Sequence, residues 1–346
     1  MTLFFVLLIM ESSESYTEFV SNQAVIMPKI ENLKSQIQNQ KSKIQKDSGV
    51  ILAAVLIMLG ITVALILQAQ TLACLGLKLE QNKLSRTKLR KAAADGAWYA
   101  LNVLATDPDL LIDHTNEAWC APMRLVLTNG IVTEIRIIDE NRFLDANMLA
   151  FVSASQLQRP SSLIIRDLFE MERMPLPEQQ VQVIQDWVDE DKTGRFEQEY
   201  YRRLNLSAEV VNAPLESSGE LRWLLDPVAQ GCSNTTSLAV LPGKTPHTEP
   251  VNVNTADRET LLAIFGKNNV DIVERIVRIR DAAPISSLDN MVDSATREQV
   301  GPYLTVHSSF FSVYSKAMLG DSSDMTYCLA QRDQGGNLTV LRWVEH

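Results

Sequence analysis

The chain has 346 residues, 46% of them hydrophobic and 21% charged, which places it among folding chains with a real core and outside the disordered class. Its net charge of −10 argues against wholesale nucleic-acid binding, because a body of that sign repels a phosphate backbone. The four cysteines, Cys74, Cys120, Cys232 and Cys328, include no C-x-x-C pair, which argues against a structural zinc site.

Residues 1–10 are apolar but too short to span a bilayer, and no basic segment precedes them. Residues 29–47 form a polar, Lys-rich arm. Val50 to Leu67 then gives eighteen residues without a charge, Thr62 being the one polar side chain. As a helix this run covers ~27 Å, just under the ~30 Å of bilayer hydrocarbon, so a single spanning anchor is expected. Both flanks are basic: the arm carries lysines, and Lys78, Lys83, Arg86, Lys88, Arg90 and Lys91 face only Glu80 beyond the span. Charge alone therefore leaves the orientation undecided.

The helical pattern continues past the anchor. Leu72, Leu75, Leu79, Leu84, Leu89 and Ala93 recur at spacings compatible with one face, with Trp98, Leu101 and Leu104 following. The next proline is Pro108, so one helix over about residues 50–105 is expected, its second half packed on a globular body. Met123–Thr128 and Gly130–Asp139 read as a hairpin around Asn129-Gly130. Helices are expected over 162–173, 178–189, 219–225, 256–265, 271–281 and 286–300, with a Gly/Pro/Ser/Thr-rich linker from Gly231 to Pro250. Alternation returns after Tyr303, and Met325–Arg332 should pair with Leu338–Val344 across Gln334-Gly335-Gly336. Strands, then helices, then strands imply an α+β chain with a helical domain inserted in a sheet.

Three features carry candidate chemistry. Asn254-Thr255 reads first as a helix cap, with a phosphate-gripping helix-hairpin-helix as the rival. The carboxylates Asp186, Asp189, Glu190, Asp191, Glu197 and Glu199 read as a solvated turn, as oxygen ligands for Ca²⁺, or as an acid/base pair, and Gly194 would let that turn bend. The tryptophans Trp98, Trp119, Trp187 and Trp223 are expected in the core. His114, His247, His307 and His346 are scattered, and no nucleophile elbow or P-loop is present. Cys74 is expected to be a free thiol, and a disulfide among the other three requires an extracytoplasmic body.

Four features in order resemble the K-type minor pseudopilins of type II secretion systems. A polar, basic leader meets a glycine and an uninterrupted apolar helix at Lys46-Asp47-Ser48-Gly49-Val50. Position five of the chain beginning at Val50 is Ala54, where ordinary pilins carry Glu and the K type does not. Ile138-Asp139-Glu140-Asn141 with Leu144 and Asn147, the Asp186–Asp191 segment followed by Glu197, Glu199, Tyr200 and Tyr201, and Val251-Asn252-Val253-Asn254-Thr255-Ala256 resemble the family's motif series, although Asp145 stands where an Asn is usual. Ser308, Phe310 and Phe311 fall where the family returns to a strand.

The resemblance implies a pilin-like fold, a long N-terminal helix on a small antiparallel sheet with a large inserted all-α domain. It implies a leader, 1–49, removed by a prepilin peptidase between Gly49 and Val50, with methylation of the new N-terminus. The helix is then 50–105 with its transmembrane part at 50–67. The sheet is 106–155 with 301–346, and the inserted domain is 156–300. The leader would be cytoplasmic and the body periplasmic, on a single inner-membrane pass. Ala53, Ala54, Gly60 and Ala64 are the expected close-packing positions. Implied partners are other minor pseudopilins in a tip complex, the major pseudopilin, the peptidase and secreted substrates, with no nucleic acid. Calcium, held by Asp186, Asp189, Asp191, Glu197 and Glu199, is the implied cofactor, and no enzymatic activity is expected. A DNA-uptake or type IV pilus component using a helix-hairpin-helix is the alternative.

Overall fold

The computed structural model describes residues 33–34, 48–127, 130–150, 157–204, 209–229, 237–242, 249–289 and 291–346. Most of the expected leader, together with Asn129, Cys232 and His247, lies outside the described residues. The chain divides into two units, Met1–Asn82 and Lys83–His346.

The first unit contributes the start of α1, a 58-residue helix over Ser48–Ala105 that holds Gly49 and Val50 in its first turn. Every described side chain from Leu52 to Asn82 is exposed. This is the one described helix long and apolar enough to cross a membrane, and its apolar window buries nothing inside the chain. An apolar helix with no polar face and no partner belongs in lipid or against other helices.

In the second unit, the end of α1 lies on a sheet. Leu89, Ala92, Ala93, Ala97, Ala100, Leu101 and Leu104 are buried at helical spacing against Ile131, Ile135, Ile137, Val313, Ala317 and Cys328. Small residues bring the helix close. At Gly96 a Cβ would collide with the Ser315 hydroxyl and the Thr133 methyl, so only glycine permits this approach. Trp98 does not continue the buried face as the spacing suggested. It follows Ala97 by ~100° of turn, is 58% exposed and lies against Trp343, the two rings tilted with centroids 5.3 Å apart.

The sheet is formed by β1 (Met123–Val126), β2 (Val132–Asp139), β7 (Phe310–Leu319), β8 (Ser322–Arg332) and β9 (Leu338–Glu345), in the order β1-β2-β7-β8-β9 and antiparallel throughout. The β1–β2 hairpin closes in the expected place, Val126 opposite Val132, with Gly130 at φ +81° where a Cβ would be strained. The C-terminal hairpin also forms, its turn held by Asp333, whose carboxylate accepts from the Gly335 and Asn337 amides.

Adjacent strands β2 and β7 are separated by 170 residues of sequence, and the helical domain fills that gap. It contains β3 (Leu144–Asp145), α2 (Ser161–Met171), α3 (Pro177–Val188), α4 (Gln198–Arg203), α5 (Ser218–Ala229), β4 (Leu238–Ala239), β5 (Val251–Asn252), α6 (Arg258–Phe265), α7 (Val270–Ala282), α8 (Ser294–Val300) and β6 (Leu304–Thr305). The helix expected over 286–300 begins only at Ser294, where Asp293 caps it. Leu144, Ala146, Met148 and Leu149, counted with the sheet by sequence, pack in the helical core, as do Tyr303 and Leu304. The architecture is the expected α+β arrangement, a long helix on a small antiparallel sheet carrying a large insertion that is helical as expected but also holds two short parallel strand pairs, β3–β4 and β5–β6.

Candidate functional site

The motif residues that stand far apart in sequence meet at the base of the insertion. The β2 strand ends on Asp139, buried, whose Oδ2 accepts from the Thr255 hydroxyl (2.5 Å), the Ser308 hydroxyl (2.6 Å) and Asn252 Nδ2 (3.4 Å). Its Oδ1 accepts from the Asn141 amide at 2.8 Å. Asn141 Oδ1 in turn accepts from the Ser309 and Phe310 amides at 2.9 Å, pinning the return into β7, and its Nδ2 donates to the Pro250 carbonyl. Asn252 Nδ2 also donates to the Asp113 carbonyl and the Ser308 hydroxyl. Burial pushes the Asp139 carboxyl up to about 6 in spite of the hydrogen bonds from Ser308 and Thr255.

Behind this network sits Arg332 of β8, 3% exposed at its side chain. Its guanidinium donates to Asp107 Oδ2 (2.9 Å), to both Asp113 oxygens (2.5 and 2.6 Å) and to the Ser308 carbonyl, and it lies 4.7 Å over the Phe311 ring. Glu117 comes within reach of Asp107 and Asp113, and burial lifts its carboxyl to about 7. Those three acids could ring a metal by distance, but the Arg332 guanidinium already supplies the cation. This joint fixes where the helical domain leaves and rejoins the sheet. Sequence reasoning found Asp139, Asn141, Asn252 and Ser308 through their motifs and missed Arg332, Asp107 and Asp113, which stand in no local pattern.

The Asn254-Thr255 reading changes. The α6 cap is Asp257, whose carboxylate accepts from the Thr260 amide at 2.7 Å. Asn254 instead brackets Ile285, donating to its carbonyl and accepting from its amide. In the α6–α7 hairpin Gly266 packs against Arg159, and the exposed Lys267 is paired with Glu170 and Asp167 of the same chain. Asp145 and Asn147 act similarly on the neighbouring strand: Asp145 Oδ1 accepts from the Asn147 and Leu241 amides, and Asn147 holds Leu215 through both its amide atoms. Burial raises Asp145 to about 7.

The acidic turn follows α3. Trp187 is buried beneath it, edge-on to Tyr201 (5.5 Å) and Trp223 (5.7 Å), and donates to Glu220. Trp119 is likewise in the core, whereas Trp223, expected there, is 40% exposed. Oxygens of Asp189, Asp191 and Glu197 come within 4.8 Å of one another. Burial and then the neighbouring charges of Asp191, Asp186 and Glu197 raise Asp189 to about 6. Asp189 Oδ1 and Glu197 Oε1 are buried without a hydrogen-bond partner, which is what a hard cation would satisfy.

The other two expected ligands are placed differently. Asp186 turns its carboxylate to the Phe196 amide (2.7 Å), and Glu199 pairs with Arg202 and Arg203. Gly194 opens the bend, as expected, and also permits a close approach, since a Cβ there would overlap the Asp186 carboxylate. Of the anchor residues, Ala53, Gly60 and Ala64 share one stripe at ~100° per residue, while Ala54 lies about a quarter-turn away; Gly60 has nothing within 4 Å. Cys74, Cys120 and Cys328 are free, and burial raises the Cys328 thiol to about 11.

A long exposed apolar helix, its far end laid on an antiparallel sheet, and a helical insertion locked in by a buried polar joint define a pilin-like fold with one described helix long and apolar enough to cross a membrane. No family model matches the sequence. The chain is 26% identical over 313 residues to the type II secretion system protein K of Pseudomonas aeruginosa, spanning 81% of this chain and 90% of that protein. Its fold matches a chain in the crystal structure of the GspK-GspI-GspJ complex from the enterotoxigenic Escherichia coli type 2 secretion system, with a TM-score of 0.58 at 19% identity, over 77% of this chain and 98% of that one. In sequence and fold together the chain resembles the K-type minor pseudopilins, as its motif series implied.

Proposed function

We propose that this chain is a minor pseudopilin of type II secretion that stands at the tip of the pseudopilus, nucleates its assembly and supports export of folded proteins across the outer membrane. The observation that carries the reading is the joint. The motifs read singly as weak signals form one buried network at the point where a helical domain is inserted in a pilin-like sheet. Such a chain works by packing, and no catalytic step is assigned to it. The α1 anchor inserts in the inner membrane with the leader in the cytoplasm and the body in the periplasm, and a peptidase releases Val50 as a methylated N-terminus.

Fibre contacts in lipid rest on shape and small residues, so Ala53, Gly60 and Ala64 provide a stripe for a neighbouring helix. An apolar Ala54 suits the first subunit, which has no earlier neighbour to pair with a carboxylate. Calcium fits the acidic turn, with Asp189, Asp191 and Glu197 as its holders, and would order the segment between α3 and α4. The partners are two further minor pseudopilins. Affinity purification of the full chain from detergent-extracted cells tests this: co-purification of two other pilin-like subunits supports it, and recovery of the chain bound to DNA instead favours the uptake alternative.

A further inference from the structure

Under α1 the sheet carries a band of polar atoms that none of the motifs accounts for. Thr133 Oγ1, Ser315 Oγ, Thr326 Oγ1 and Asp324 Oδ1 are buried without a hydrogen-bond partner. Their residues occupy two successive rungs of the face that α1 covers. Thr133, Ala317 and Asp324 stand side by side across β2, β7 and β8 on one rung, and Ile135, Ser315 and Thr326 on the next. Thr133, Ser315 and Thr326 are at most 1% exposed and Asp324 is 8% exposed. A buried polar group without a partner keeps its desolvation cost, so this band weakens the contact between helix and sheet.

The band also cuts that contact in two. On one side Leu89, Ala92 and Ala93 pack with Ile131 and Ala317. On the other, Ala97, Ala100, Leu101 and Leu104 pack with Ile135, Ile137, Val313 and Cys328 in a separate cluster. Gly96 lies between the two, against the Ser315 hydroxyl, and a glycine inside a helix lowers helix stability at that point. The halves are unequal. The first buries one leucine and two alanines of the helix, the second two leucines and two alanines. Besides this packing, Arg90 ties the first half to the sheet, 4.0 Å from Asp324 and 3.7 Å from Glu345. Its side chain is 57% exposed, where an ion pair contributes little.

We propose that Gly96 is a hinge about which residues 83–95 lift off the sheet as a helical piece while residues 97–104 stay seated. Lifting parts Leu89, Ala92 and Ala93 from Ile131 and Ala317, and it opens the polar band to water, which relieves part of its desolvation. The body then has two arrangements of its own helix and can adjust to neighbours without unfolding. The hinge lies within the unit Lys83–His346 and does not depend on a place at the fibre tip.

The test compares two fully buried alanines, Ala93 in the first half and Ala100 in the second. A93C and A100C are made separately in the full chain in detergent, and maleimide labelling of each introduced thiol is followed by peptide mass spectrometry. The A93C thiol should react at least about tenfold faster than the A100C thiol, because local opening does not require the whole fold to open. T133V/S315A/T326V replaces the hydroxyls of the band by apolar groups of similar shape. It should raise the melting temperature and slow the A93C thiol to the A100C rate. R90Q should speed the A93C thiol and leave the A100C thiol unchanged. Equal labelling of A93C and A100C in the native background overturns the hinge. So does a triple variant that leaves their ratio unchanged, or one that melts lower, which makes the band a set of groups bridged by internal water that clamps the helix. An R90Q effect equal on both thiols overturns it too, because opening would then be global.

Discussion

Replacing Arg332 by Met should unlock the joint between sheet and helical domain. The side chain fills similar volume, so the loss is electrostatic and hydrogen-bonded rather than a cavity. Arg332 and Asp107 are each 3% exposed at the side chain and Asp113 is fully buried, so neither acid can turn to water when the guanidinium goes. Removing one partner of such a buried pair costs about 3–5 kcal/mol. For a body of this size that lowers the melting temperature by roughly 6–20 °C, at ~2–4 °C per kcal/mol.

The loss should also depend on pH, with a definite sign. Burial already raises Asp113 above its ordinary 3.8, and the attraction of Arg332 holds that rise back. Without Arg332 the carboxyl rises further. A carboxyl raised in the folded state costs stability at any pH above its folded pKa, and the cost fades as pH falls toward the unfolded value. Arg332→Met should therefore be more damaging at pH 8 than at pH 5. Thermal and urea melts of the detergent-solubilised chain at both values measure it, with Arg332→Lys as the control that keeps charge but loses the planar fork. A loss under about 1 kcal/mol, small even for a typical point mutant, or one independent of pH, would refute the reasoning.

Gly96→Val forces side-chain carbons into the Ser315 and Thr133 side chains and should cost about 1–3 kcal/mol by overpacking; an unchanged melting temperature would show that the helix can lift off the sheet freely. Asp189→Asn removes a carboxylate of the acidic turn, and the wild type alone should show a calcium-dependent rise in melting temperature. Equal calcium response in both would move the site elsewhere. Ala54→Glu places an unpaired carboxylate in the membrane span at a cost of a few kcal/mol and should sharply reduce export, whereas normal export would remove the argument for a first subunit.

The anchor was plain in sequence because eighteen uncharged residues need no tertiary context, and both hairpins were plain because Gly130 and Gly335-Gly336 mark their turns. The long helix is legible through Leu89, Ala93, Leu101 and Leu104, all buried, but the same seam also includes Ala92, Gly96, Ala97 and Ala100. Small residues give no hydrophobic peak, so the periodicity shifted onto Trp98. The joint was half legible. Asp139, Asn252 and Ser308 belong to recognisable motifs, yet nothing local announced that they would share hydrogen bonds, and Arg332 reads alone as an ordinary charge at a strand end.

The capping error has a similar cause. Asn254 and Asp257 are both good cap residues, and only the fold shows that Asn254 is spent on Ile285. At the acidic turn, composition could not separate Glu199, whose helical spacing to Arg202 and Arg203 gives it partners of its own, from Asp189, Asp191 and Glu197.

The mature N-terminus is the most direct test of the account. Sequencing or mass spectrometry of the membrane-extracted protein should find a chain that begins at Val50 and carries an N-methyl group. An intact leader ahead of Gly49 would contradict the pseudopilin reading at its root.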